Sequence, residues 1–126
     1  MTGETWGALI VLLCTLMVAG AVVGTTWAAA TNKLARNPLA GIRTRSTMRS
    51  DTAWVAGHRA ALPLSGTAAA SVAACTLAAV LAIAVGHPLV SIGLSLAGIL
   101  AALLFAIPIT RRADAGAQSS ADHGRG

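Results

Sequence analysis

The chain has 126 residues, of which 56% are hydrophobic and only 10% charged, where an ordinary soluble domain carries about 25% charged residues. That deficit excludes a domain solvated mainly by water, and the length leaves no room for a second domain. A net charge of +5 would raise nucleic acid as a partner of a soluble protein, but no direct nucleic-acid role is expected here. Six of the nine Lys and Arg residues fall in one stretch between apolar runs, a pattern that reads first as membrane topology.

The first apolar run, Thr5 to Asn32, contains no charged residue. A bilayer core about 30 Å thick needs about 20 apolar residues at 1.5 Å each, so this run predicts one spanning helix over residues 6–30. Trp6 and Trp27 bracket it, each suited to one membrane–water interface. Ala28-Ala29-Ala30 looks like a signal-peptide cleavage site. Glu4, the lack of a basic leader and the long apolar run favour a retained span.

The next stretch, residues 31–61, holds Lys33, Arg36, Arg43, Arg45, Arg49 and Arg59. Asn37-Pro38 starts a turn and Gly41 permits a positive φ. Ser50 or Asp51 caps a short helix, expected to run along the membrane surface with Asp51, Trp54 and His58 on one face. Topology and lipid-phosphate contact account for the arginines, and an interfacial anchor accounts for Trp54. Asp51 and His58 fall short of a metal-ligand set. No Ser or Cys has a credible partner base among His58, His87 and His123, so no catalytic, cofactor or metal site is expected.

From Ala60 to Thr110 charge is again absent, long enough for two spans, over residues 62–85 and 89–109, divided by Gly86-His87-Pro88. The apolar runs are continuous, so helices rather than a barrel are expected. Small residues Gly66, Ala70, Ala74, Ala78, Ala82 and Gly86 recur at every fourth position, and Gly20/Gly24 and Ser91/Ser95 share that spacing. Such stripes allow close helix approach. Packing within one chain is the simpler use, and a homo-oligomer is the alternative. Cys14 and Cys75 lie in apolar spans as small hydrophobes. Residues 111–126 show no apolar period and are expected to be a disordered tail. With Arg111 and Arg112 following the last span, the positive-inside rule puts the basic loop and C-terminus in the cytoplasm and the N-terminus and His87 turn outside. The expected fold is all-α: a three-helix transmembrane bundle with a short interfacial helix in the cytoplasmic loop.

Within that loop, Asn37-Pro38, then Gly41-Ile42-Arg43-Thr44, Thr47, Ser50-Asp51, Trp54 and His58-Arg59 resemble the signature of the SdpI family of bacterial membrane proteins. With the three-span layout included, the resemblance covers about residues 5–110. Arg45-Ser46 departs from it, standing where members commonly place Pro and an aromatic residue. The resemblance implies a protein of the bacterial cell membrane that gives immunity to, or senses, a membrane-active toxic peptide. It also implies a cytoplasmic repressor as a partner drawn to the membrane. Asn37, Pro38, Gly41, Ile42, Arg43, Thr44, Thr47, Asp51, Trp54, His58 and Arg59 are the candidate partner-binding residues. A membrane-anchored scaffold for a cytoplasmic regulator is the alternative, and a small transporter or channel subunit ranks below both because the spans lack ionisable residues other than cysteine.

Overall fold

The computed structural model describes residues 2–123. The chain is all-α, with α1 at Gly3–Ala30, α2 at Asp51–Ala84 and α3 at Pro88–Asp122. All three are long and apolar enough to cross a membrane. Buried positions are mostly Ala, Ser and Thr, whereas Ile10, Leu13, Met17, Leu77, Leu81, Leu100, Leu103 and Leu104 are exposed. In water that distribution would be inverted, but in lipid large apolar side chains face the solvent and small residues let backbones meet.

Among the described residues there is no separate interfacial helix. The short helix expected near residue 51 is the first part of α2, which runs unbroken for 34 residues with Pro63 inside it. Proline removes one i→i−4 hydrogen bond, but membrane helices tolerate it where neighbouring groups support the turns on either side. At about 51 Å, α2 exceeds the hydrocarbon thickness by several turns. The turns before Arg59 are the ones rich in polar residues.

The segment expected to be a disordered tail is also helical, since α3 continues through residues 111–122. Ile109, Ala113 and Ala117 form a buried stripe at i+4 spacing, and Gln118 Nε2 donates to Ser46 Oγ at 3.3 Å. Alanine is the best helix former, so a modest packed face is enough to order this stretch. Residues 124–126 lie outside the described residues.

Two compact units divide the chain. One comprises Met1–Gly20 and Thr67–Leu104, the other Ala21–Gly66 and Phe105–Gly126. In the first unit, α2 ends in a Schellman cap: Gly86 has φ +83°, His87 N–H reaches Ala82 C=O at 2.7 Å and Gly86 N–H reaches Ile83 C=O at 3.0 Å. Pro88 then opens α3. Ser91, Ser95 and Gly98 form the buried face of α3 here, and a Cβ added at Gly98 would lie 3.1 Å from Cys75 Cβ. The hydroxyls of Ser91 and Ser95 have no hydrogen-bond partner.

The fourth-residue stripe of α2 does not form one contact face. Gly66, Ala70 and Ala74 are exposed, and the buried positions are Ala61, Ser65, Ala68, Val72, Ala79 and Ala82. Four residues turn a helix by about 400°, so a strict fourfold spacing drifts by about 40° per step and leaves any single face within a few turns. Gly20 and Gly24 likewise have open space around them.

Candidate functional site

The second unit contains the basic loop, and its residues make a fixed structure on the first turns of α2. The loop begins with a second Schellman cap, on α1. Asn32 has φ +60°, Lys33 N–H reaches Ala28 C=O at 2.8 Å and Asn32 N–H reaches Ala29 C=O at 3.2 Å. Asparagine tolerates this left-handed conformation better than most residues. Lys33 Nζ then lies 4.2 Å from the Trp27 ring centroid, a cation–π contact.

Asn37 makes the expected turn, its Oδ1 accepting the amides of Leu39 (2.9 Å) and Ala40 (2.8 Å). Arg43 reaches back over this turn to donate to the Pro38 carbonyl. Gly41 follows with φ +95°. A Cβ there would meet Trp54 Cη2 at 2.7 Å and His58 Nε2 at 2.8 Å, so both backbone angle and space demand glycine. Thr44 and Thr47 close the next turn. Thr47 Oγ1 donates to the Ile42 carbonyl (2.8 Å) and accepts the Thr44 amide (2.9 Å). Ser50 caps α2, its hydroxyl accepting the Ala53 amide at 3.1 Å.

Trp54 and His58 are the centre of this arrangement. Both are buried, with ring centroids 4.2 Å apart. Trp54 is therefore no interfacial anchor: its Nε1–H donates to the Leu34 carbonyl at 2.9 Å, pinning the start of the loop. His58 Nε2 accepts the Ile42 amide at 2.8 Å while Nδ1 lies 2.7 Å from the Trp54 carbonyl. A carbonyl can only accept and an amide can only donate, so the ring carries its proton on Nδ1 and is neutral. Burial pushes its pKa below the ordinary 6.5, against a weaker upward pull from the Trp54 carbonyl.

Two further arginines hold backbone carbonyls. Arg59 Nε donates to Ala30 C=O (3.1 Å) at the end of α1, where the helix dipole favours a cation. Arg36 Nη1 donates to Met48 C=O (2.5 Å) and its Nε to Asp51 Oδ1 (3.1 Å). Asp51 is thus separate from the buried Trp54–His58 pair, exposed at the start of α2. Among the described residues, no three His, Cys, Asp or Glu side chains are grouped as a metal ion would need.

The structure therefore brings Gly41, Ile42, Thr47, Trp54 and His58 together and sets Arg43, Asp51 and Arg59 around them as ties. Sequence reading missed Gly57 and Gly116. A Cβ at Gly57 would lie 2.7 Å from Thr47 Cγ2 and 2.8 Å from the Ala113 carbonyl oxygen. One at Gly116 would lie 2.5 Å from Ala60 Cβ and 2.9 Å from the Ala56 oxygen. The available signal was the spacing of Ile109, Ala113, Gly116 and Ala117, which continues α3 past its arginines.

Comparison with curated proteins and with solved structures finds no match. The model of one protein family does match, over residues 33–110, which takes in the loop, α2 and most of the apolar part of α3. The chain belongs to the SdpI/YfhL protein family.

Proposed function

We propose that this protein gives immunity to, or senses, a membrane-active toxic peptide, with the basic loop as its functional element. The observation that carries this reading is the coincidence of the family match with the loop's construction. Motif residues tie the loop to itself and to α2, through Asn37, Gly41, Thr47, Trp54 and His58. Such an investment in fixed shape suits a surface that another molecule reads. On the positive-inside rule this surface lies in the cytoplasm, since Lys33 to Arg59 and Arg111-Arg112 flank the apolar runs on one side. The opposite connection, Val85 to His87, offers little to recognise. A toxic peptide would be met within the bilayer, along exposed faces of Leu, Ile and Val.

Recruitment of a cytoplasmic regulator is the second reading, and Leu39 favours it. That side chain is 87% exposed on a turn held by Asn37, with Arg45 and Arg49 also exposed in the loop. An apolar residue presented among cations suits contact with an acidic protein surface.

The test is survival of cells expressing the wild-type protein, or its Arg43→Ala or His58→Ala form, under challenge by a secreted membrane-active killing peptide. Protection by the wild type, lost in the variants at equal membrane abundance, is the expected outcome. Equal killing with and without the wild type sinks immunity to that peptide. Capture of a cytoplasmic protein by the wild type but not by Leu39→Ser would then favour recruitment.

A further inference from the structure

We propose that the groove between α2 and α3 on the loop side is a binding site for the headgroup of an anionic phospholipid. The groove is open to its surroundings, has a volume of about 650 Å³ and is lined by Arg59, Ala60, Pro63, Arg111, Arg112, Ala115, Gly116 and Ser119. Three arginines and no acidic residue line it. Arg111 and Arg112 form no ion pair, the described residues containing one only, Arg36 with Asp51. Asp114, the nearest acid along α3, is not part of the lining. Arg59 spends its Nε on the Ala30 carbonyl, and its terminal nitrogens remain for an anion. The planar fork of arginine matches phosphate oxygens in pairs.

The rest of the lining decides the source of the phosphate. Ala60, Pro63, Ala115 and Gly116 give the groove an apolar wall, and α2 and α3 touch there through Gly116 and Ala60 without intervening side chains. A dissolved phosphate gains nothing from such a wall. A phospholipid does, since its glycerol and first methylenes follow the phosphate toward the uncharged run that begins at Ala60 and ends at Thr110. Arg59 and Arg111-Arg112 stand at the two ends of that run, the depth at which lipid phosphates lie. Basic pockets between spanning helices are known hosts for acidic headgroups. This site is independent of whether the loop confers immunity.

The experiment titrates the full-length protein, in neutral detergent, with phosphatidylglycerol, phosphatidylcholine or inorganic phosphate and reads bound lipid by native mass spectrometry. One phosphatidylglycerol is expected to bind in preference to phosphatidylcholine. Arg111→Gln with Arg112→Gln is expected to weaken it roughly thirtyfold, the effect of two basic residues beside an anionic surface. Arg45→Gln with Arg49→Gln, an equal loss of charge at residues that do not line the groove, should change it by no more than about twofold, since charges beyond a Debye length are screened. Ala115→Phe keeps every charge and fills the groove, so it should abolish binding even if the arginine pair proves necessary for folding. Equal weakening by both arginine pairs, undiminished binding in Ala115→Phe, or displacement of the lipid by stoichiometric inorganic phosphate would each overturn the proposal.

Discussion

His58 stands between two backbone groups of opposite character, the Ile42 amide and the Trp54 carbonyl. A second proton on the ring would set N–H against N–H at Ile42, so loop order depends on the neutral form. Burial holds the folded pKa below 6.5, and the opened loop therefore binds more protons than the closed one. Stability is full above the unfolded pKa and falls as pH drops below about 6.5. In a Trp6→Phe/Trp27→Phe background, Trp54 emission should shift to the red as pH is lowered through that range. The shift should be absent in His58→Gln; a wild-type spectrum that follows that of His58→Gln at every pH would refute the dependence. Local chemistry made part of this site legible: Asn37-Pro38, Gly41 and Ser50 are where turn and cap residues belong. The carbonyl partners of Trp54, Arg36 and Arg59, at Leu34, Met48 and Ala30, were not legible, because every residue has a backbone carbonyl.

Between α2 and α3 of the loop-bearing unit, two glycines set the distance of approach. Gly57 faces the Ala113 carbonyl and Gly116 faces Ala56 and Ala60; because backbone atoms are involved, neither contact can yield by a rotamer change. Gly57→Ala should cost about 1–3 kcal/mol, the usual range for overpacking. Gly66→Ala, with open space around it, should cost nothing. Thermal unfolding in detergent followed by circular dichroism checks the contrast, and matching midpoints for the two variants would remove the argument. Sequence alone drew attention to the other stripe, Gly66 to Gly86, because it is longer and lies within a span. Spacing of four looks like a face over two turns and departs from it over five, whereas the 61, 65, 68, 72 series keeps the helical period. The helical extension past Arg112 was missed for a related reason. Alanine and glycine read as an absence of pattern by hydrophobicity, yet they are the residues that permit helices to touch.

Across the whole chain, the uncharged runs located all three candidate spans, since removing charge from about 20 consecutive residues is demanded by hydrocarbon and by little else. What they could not give was where each helix ends outside the membrane, a matter settled by caps and packing rather than by hydropathy. Val85, Gly86 and His87 show how far such a cap can compress a connection: the Schellman bonds leave no extended backbone between α2 and α3. A protease cleaves only a stretch that can unfold into its active-site cleft, so an enzyme added to the face carrying this turn should leave the α2–α3 connection uncut. Trypsin meets Arg45 and Arg49 in the 20-residue connection between α1 and α2, and its cutting there should quicken in Thr47→Val, which loses the Thr47 hydroxyl's bonds to the Ile42 carbonyl and the Thr44 amide. On the topology that the positive-inside rule proposes, the tight turn would make the outward-facing connection a poor protease substrate and leave the basic loop to enzymes on the cytoplasmic side.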